Sequence, residues 1–308
     1  MGVLAVVFGA LMGLDPRVVE GAPAWLKPAK FAVSTAVYSA TLAWVLTCLP
    51  AWPRLTRLAG SVTAWVFVGE VALIALQAAR GRTSHFNTET LVDGAIFTVM
   101  GLGIALQTAV AGAVAVALWR QRFDDRVMGW ALRLGMAITV AGASAGGMMT
   151  APTSVQLEAA KATGAMPRSG AHTVGAPDGS GPGLPGTGWS TRHGDLRVPH
   201  FLGLHAIQAV PLVALAARRR RWRESAGIRA VMVSAASYAA LFGILAAQAL
   251  AGQPVVTPAG GIATALVAWA LLSAAGATWA RFAPPSRRRT ATPHDTTDAA
   301  GAAATEVA

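Results

Sequence analysis

Apolar residues run through this chain in blocks of about 20, the length a helix needs to cross the hydrocarbon layer of a bilayer. One block covers 31–49 and stops at Pro50 and Pro53. The next, 58–79, is interrupted by a single acid, Glu70. Residues 95–119 are long and uninterrupted, and 128–149 hold one internal base, Arg133. The block 200–217 is shorter and carries His200, His205 and Gln208, and 230–251 and 261–282 bring the set to seven. An eighth block, 2–14, has 13 residues before Asp15. No basic residue precedes it and no small-residue cleavage site follows, so it reads as a shortened first helix rather than a signal peptide. It is expected either to pack against its neighbours in that short form or to be clipped by a mis-assigned start. The pattern predicts an all-α fold, a polytopic transmembrane helix bundle of eight spans over residues 1–283 with the first span short. A long Gly/Pro-rich extracytoplasmic loop is expected over 150–199. Residues 284–308, rich in Ala and Thr after Pro284-Pro285, read as a disordered cytoplasmic tail.

Composition agrees with that pattern. The 308 residues are 54% hydrophobic and 13% charged, with mean hydropathy +0.50, whereas soluble domains carry about a quarter charged residues. Cys48 is the only cysteine, which rules out a disulfide scaffold. Lys and Arg are held on the cytoplasmic side of a membrane. With eight spans, fifteen of them fall in short loops and the tail on one side and nine on the other, with Arg133 inside a span. Both termini are therefore expected in the cytoplasm, and the protein in the cell membrane. The net charge of +11 is accounted for by anchors beside an anionic leaflet, Arg218 to Arg221 above all. The expected partner is the lipid bilayer, with no nucleic acid. Trp25, Trp52, Trp119, Trp130, Trp189, Trp222 and Trp279 are read as lying near the ends of the expected spans, the aromatic-belt pattern. Gly142 and Gly146, four apart on one helix face, permit close packing of helices within the chain.

The chemistry that stands out is on the outer side of this topology. His85, His172, His193, His200 and His205 all lie there; His294 belongs to the tail. The loop from Gly170 to Pro199 interleaves His172, Asp178, Trp189, His193 and Asp195 with glycines and prolines. That pattern favours a folded cap over a flexible linker. Lys27 and Lys30 precede a span on the same side and read as interface anchors, with attraction of an anionic group as the alternative.

Three stretches carry a resemblance: Ala24-Trp25-Leu26-Lys27-Pro28-Ala29-Lys30-Phe31, Ser84-His85-Phe86-Asn87, and Gly194-Asp195-Leu196-Arg197-Val198-Pro199-His200-Phe201-Leu202-Gly203-Leu204-His205-Ala206-Ile207-Gln208. They resemble a family of bacterial multi-span integral membrane proteins with no established activity, over most of the chain except the tail. The resemblance implies the multi-span architecture and a fuller first helix, and it implies no mechanism.

On the sixth span, counting the short first one, His205 and Gln208 share a face, while His200 and His205 lie about 140° apart and do not readily chelate one ion. Pro211 further along is expected to kink the helix. Glu70 lies near mid-membrane with Gln77 two turns on along the same face, and an ionisable group at that depth usually faces an interior pocket. If the two spans are neighbours, Glu70, Gln77, His85, His205 and Gln208 line one outward-opening pocket. Arg133 is an alternative partner for Glu70, though it sits where it can snorkel to the cytoplasmic surface.

Three classes of function follow. The first is binding of a metal, haem or small polar ligand, with His85, His200, His205, His193 and His172 as metal or haem ligands and Glu70, Gln77, Gln208, Asp195 and Trp189 as ligand-binding or relay groups. The second is a proton-linked carrier or lipid or small-molecule binder that uses Glu70. The third is a structural or signalling membrane protein without chemistry. No His-Glu-x-x-His or Cys-x-x-Cys-His motif occurs and no nucleophile elbow is expected, so catalysis is left open with no residue assigned to it.

Overall fold

The structure, a computed structural model, describes residues 1–282, so the expected tail lies outside the described residues. In chain order the elements are α1 (Gly2–Leu14), the hairpin β1 (Val18–Val19) and β2 (Ala22–Pro23), α2 (Leu26–Thr47), α3 (Pro53–Ala79), α4 (Leu91–Arg120) and α5 (Arg126–Gly146). A 3-10 turn over Gly147–Thr150 continues α5. There follow α6 (Ser154–Thr163), β3 (Thr173–Val174), β4 (Gly194–Asp195), α7 (Arg197–Leu204), α8 (Ala206–Arg219), α9 (Glu224–Leu250) and α10 (Gly260–Phe282).

The chain is mostly helical, and six of its helices are long and apolar enough to cross a membrane. A seventh span results if α7 and α8, which meet at a bend of 41°, are one broken helix. Helix α1, with 13 residues, rises only about 20 Å, short of the roughly 30 Å hydrocarbon core. The outer surface fits a lipid environment. No residue in the most apolar window of α10 is buried, and Leu271 and Leu272 are 66% and 73% exposed. A water-soluble protein rarely leaves an apolar face of this extent uncovered.

Packing mostly follows chain order: α1 on α2, α2 on α3, α3 on α4, α4 on α5 and α9 on α10. Helix α5 is the hub, because it also packs against α7, α8 and α9. The largest buried cluster joins Leu42, Val45, Val110, Val114, Leu118, Leu132, Met136 and Ile207, from α2, α4, α5 and α8. The joint between α5 and the α7–α8 bend is closer still. A Cβ on Gly142 would lie 2.5 Å from the backbone of Gly203, so the helices touch main chain to main chain. The bend falls at His205, and Thr139 of α5 repairs it. Its hydroxyl accepts the N–H of Ile207 at 3.0 Å and donates to the carbonyl of Leu204 at 3.4 Å. Pro211, the expected kink, sits inside α8 instead.

The two ends of the bundle differ. One carries the short turns at 48–52, 121–125 and 220–223, with Arg54 and Arg57 just after the first and Arg122, Arg220, Arg221 and Arg223 in the others, and is called here the arginine end. The other carries 15–25, 80–90, 147–196 and 251–259, the cap end. There the segment between α5 and α7 is not a single open loop, since it holds α6 and the antiparallel pair β3–β4. A capping box between Thr153 and Gln156 starts α6 and Gly164, at φ 72°, ends it. The Gln156 amide then clamps both main-chain groups of Gly170. Glycine is required at 170: φ is 106° and a Cβ would strike the Met149 carbonyl oxygen. Ser169 donates its N–H to the Phe86 carbonyl and Thr88 donates to Pro167, tying the cap to the α3–α4 turn. Gly194 lies so close to the Ala249 carbonyl of α9 that no side chain fits between them.

Candidate functional site

The cap brings two of the five histidines together around one aromatic ring. His172 packs edge-on against Phe86 with ring centroids 4.8 Å apart, and His85 meets the same ring at 6.2 Å. His85 also lies against Phe31 of α2 at 5.5 Å, and its Nδ1 is 3.0 Å from the Ser84 hydroxyl. Both imidazoles are half-buried. Burial, followed by the charges of Lys27 and His172, holds the pKa of His85 well below the ordinary imidazole value. Burial also lowers His172, partly offset by its hydrogen bond to Asp178. Both are therefore neutral near pH 7, and His85 can accept or donate a hydrogen bond.

Asp178 organises this corner. Its carboxylate accepts the main-chain N–H groups of His172 and Thr173, the Thr173 hydroxyl at 2.7 Å, His172 Nδ1 at 2.9 Å and an Arg168 N–H at 3.1 Å. Burial alone would raise this carboxyl. The hydrogen bond and charge of His172, with the Thr173 hydroxyl, hold it far below the usual carboxylate range instead. Arg168 bridges onward to Glu20 at 2.6 Å and stacks over Phe86. Asp195 is used up in the same manner, accepting from Ser190 N and from the Arg197 guanidinium.

Lys27, in the first turn of α2, is half-buried beside these groups and within electrostatic reach of Glu20, Arg168, Arg197, Asp178, His85 and His172. Among the described residues it makes no ion pair or hydrogen bond. Its neighbour Lys30 donates to the Thr187 carbonyl at 3.0 Å. Among the named side chains, the cations Lys27, Lys30, Arg168 and Arg197 outnumber the carboxylates Glu20, Asp178 and Asp195 by one.

The other sequence candidates are dispersed. His205 sits at the α7–α8 bend and lies tilted against Phe201 with ring centroids 4.3 Å apart, and Trp189 meets Phe201 edge-on at 5.6 Å. His200 places Nδ1 2.8 Å from the Gly142 carbonyl, and its ring covers Gly146. The His193 backbone N–H donates to the Ser190 hydroxyl in the cap. Gln77, fully buried, donates to Asp93 at 2.9 Å and to the Thr83 carbonyl, and Arg80 completes this group. Gln208 donates to the Thr41 hydroxyl of α2 at 3.1 Å. Helix α3 packs on α2 and α4, whereas α8 packs on α5 and α9. No hydrogen bond, ion pair or ring contact among the described residues joins Glu70 or Gln77 to His205 or Gln208. Arg133 turns to the arginine end, where it donates to the carbonyls of Leu118 and Gln121 and lies over the rings of Phe123 and Trp130.

Among the described residues no three of His, Cys, Asp and Glu converge as metal ligands. Gly142-Ala143-Ser144-Ala145-Gly146 does have the lettering of a nucleophile elbow. It lies wholly within α5, where the exposed Ser144 donates to the Val140 carbonyl at 2.9 Å, so the strained strand-to-helix turn that activates such a serine is absent from it. The residues that sequence reasoning passed over are Thr139 and Arg168. Both act through main-chain or charge contacts with segments far along the chain, for which local pattern gives no signal. Comparison with family models, with curated proteins and with solved structures found no match.

Proposed function

We propose that this is a multi-pass protein of the cell membrane that binds a small carboxylate-bearing ligand beneath the cap, between Lys27, His85 and His172. In this reading α1 counts as an eighth, short span, both termini are cytoplasmic, and the cap faces the extracytoplasmic side. The observation that carries the proposal is Lys27: a half-buried ammonium without a partner, next to two half-buried neutral imidazoles. A half-buried cation without a direct partner is costly unless an anion meets it, and the His85 ring, free to donate as well as accept, adds a directional hydrogen bond to a carboxylate. The same ammonium weighs against a metal cation at His85 and His172, which also lack a third ligand.

Two measurements on the detergent-purified full chain test this. Thermal unfolding is followed while acetate, lactate or succinate is added, with glycerol as the uncharged control. A rise in Tm with at least one carboxylate is expected, abolished in Lys27→Met and retained in Lys161→Met, whose lysine is exposed on α6. Saturating at about 100 times Kd gives roughly 2.7 kcal/mol of stabilisation. No shift with any of the three acids refutes the reading. Oxidised and reduced visible spectra with elemental analysis form the second arm: a Soret band or a stoichiometric transition metal would place a cofactor at the imidazoles instead.

A further inference from the structure

Away from the cap, an acid is buried in the bundle interior. Glu70 lies nine residues before the end of α3, about 14 Å of helix rise from the cap end. It is 4% exposed. Its carboxyl faces α4 at Gly103, where a Cβ would lie 3.4 Å from Oε1. A larger residue there would press on the carboxyl, so the glycine makes the space it occupies. Among the described residues no donor reaches it, and no charged side chain offsets its burial.

The surroundings can be enumerated. Helix α3 packs on α2 and α4. The ionisable residues of α4 are Asp93 and Arg120, near its two ends, and Asp93 is committed to Gln77, Arg80 and Thr90. Those of α2 are Lys27, Lys30 and Tyr38. Both lysines are in its first turns, and Tyr38 meets α3 through the edge of Phe67, 5.4 Å between ring centroids. On α3 itself only Arg54 and Arg57 ionise besides Glu70, at the opposite end. Two turns back along α3, Thr63 donates to Gln107 at 3.0 Å, and the Gln107 amide nitrogen is buried without a partner. Glu70 thus stands beside a polar layer but is balanced by no cation.

An ionised carboxylate so placed costs several kcal/mol, and the usual resolution is that the group takes up a proton. We propose that Glu70 is a proton-binding site of the bundle interior, held as the neutral carboxylic acid and able to release one H⁺. The proposal concerns a different site from the carboxylate reading at Lys27 and stands or falls separately. It supplies the group that a proton-linked carrier requires.

A hydrophobic carbodiimide reads protonation of such an acid directly. The carboxyl proton passes to a carbodiimide nitrogen while the carboxyl oxygen bonds to the central carbon. The O-acylisourea then rearranges to a stable N-acylurea, with no leaving group and no redox change. The full chain in mild detergent is treated with dicyclohexylcarbodiimide from about pH 5 to about pH 10 and mapped by peptide mass spectrometry; buried Glu can titrate as high as about pH 8–9. One adduct is expected on the peptide carrying Glu70 at neutral pH, falling at least tenfold in rate towards the alkaline limit and absent in Glu70→Gln. Glu158, exposed on α6, is the water-facing internal reference and should stay unlabelled by the hydrophobic reagent at neutral pH. Absence of the Glu70 adduct across the series overturns the proposal. So does a rate flat in pH, and so does protection by sodium at constant pH, which would make Glu70 a ligand of a metal cation. The test is made on the wild-type chain and does not depend on the variant folding.

Discussion

Gly142 of α5 and Gly203 of α7 touch backbone to backbone, and a Cβ on either would lie within 2.5 Å of the other helix. The α7–α8 pair is positioned by this contact, because His200 donates to the Gly142 carbonyl and Thr139 bridges the bend. Gly142→Ala should therefore destabilise the protein by about 1–3 kcal/mol, the usual cost of overpacking. Gly112→Ala, with open space around its Cβ, should be neutral or slightly stabilising. Thermal unfolding of the two variants in one detergent decides the matter.

Thr139→Val keeps the shape and removes the hydroxyl that serves the bend. It strands the Ile207 N–H, which is fully inside the bundle, and leaves the Leu204 carbonyl without that donor. A loss of about 1–3 kcal/mol is expected, the penalty for an unsatisfied buried group. Thr139→Ser should recover most of it.

The cap should loosen in acid. Both His85 and His172 have folded-state pKa values below the ordinary one, so the unfolded segment binds protons more readily than the folded one. The stability from keeping these rings neutral is complete above about pH 6.5, the unfolded imidazole value, and is lost as pH falls below it. Asp178 titrates far lower and contributes nothing to this window. Hydrogen exchange at the amides of Ser169 and Leu196 should show easier opening at about pH 5 than at about pH 7.5. His85→Gln should flatten that dependence; an unchanged slope would count against the burial of this ring.

Gly194→Ala tests the seam between cap and bundle. The added methyl would sit on the Ala249 carbonyl, so β4 must lift away from α9. Limited proteolysis should then cut within 164–193 faster, while the spans stay protected.

How much of this was legible in the sequence depended on whether the information was local. A run of about 20 apolar residues is its own signal, so the blocks at 31–49, 58–79 and 95–119 correspond to helices α2, α3 and α4, differing at the ends by a few residues of polar cap. The break in 200–217 was placed too late. Pro211 announces a kink, but the chain gives way at His205, where Thr139 of a different helix supplies the missing partners. The cap was harder still, since what folds it is main-chain bonding between distant segments, such as Ser169 with Phe86, and main-chain groups look alike in any sequence. The same reason explains the candidate site. The sequence clustered five histidines by side of the membrane, but only His85 and His172 share a ring. His200 is claimed by Gly142, and His205 by the bend.

The placement of Gly194 against Ala249 also sets an order of events. The cap is synthesised before α9, yet its second strand rests on the far end of that helix. Native closure must wait until α9 has been threaded through the bilayer, so the finished cap certifies insertion of every span up to α9. Until then β4 lacks the surface on which Gly194 rests.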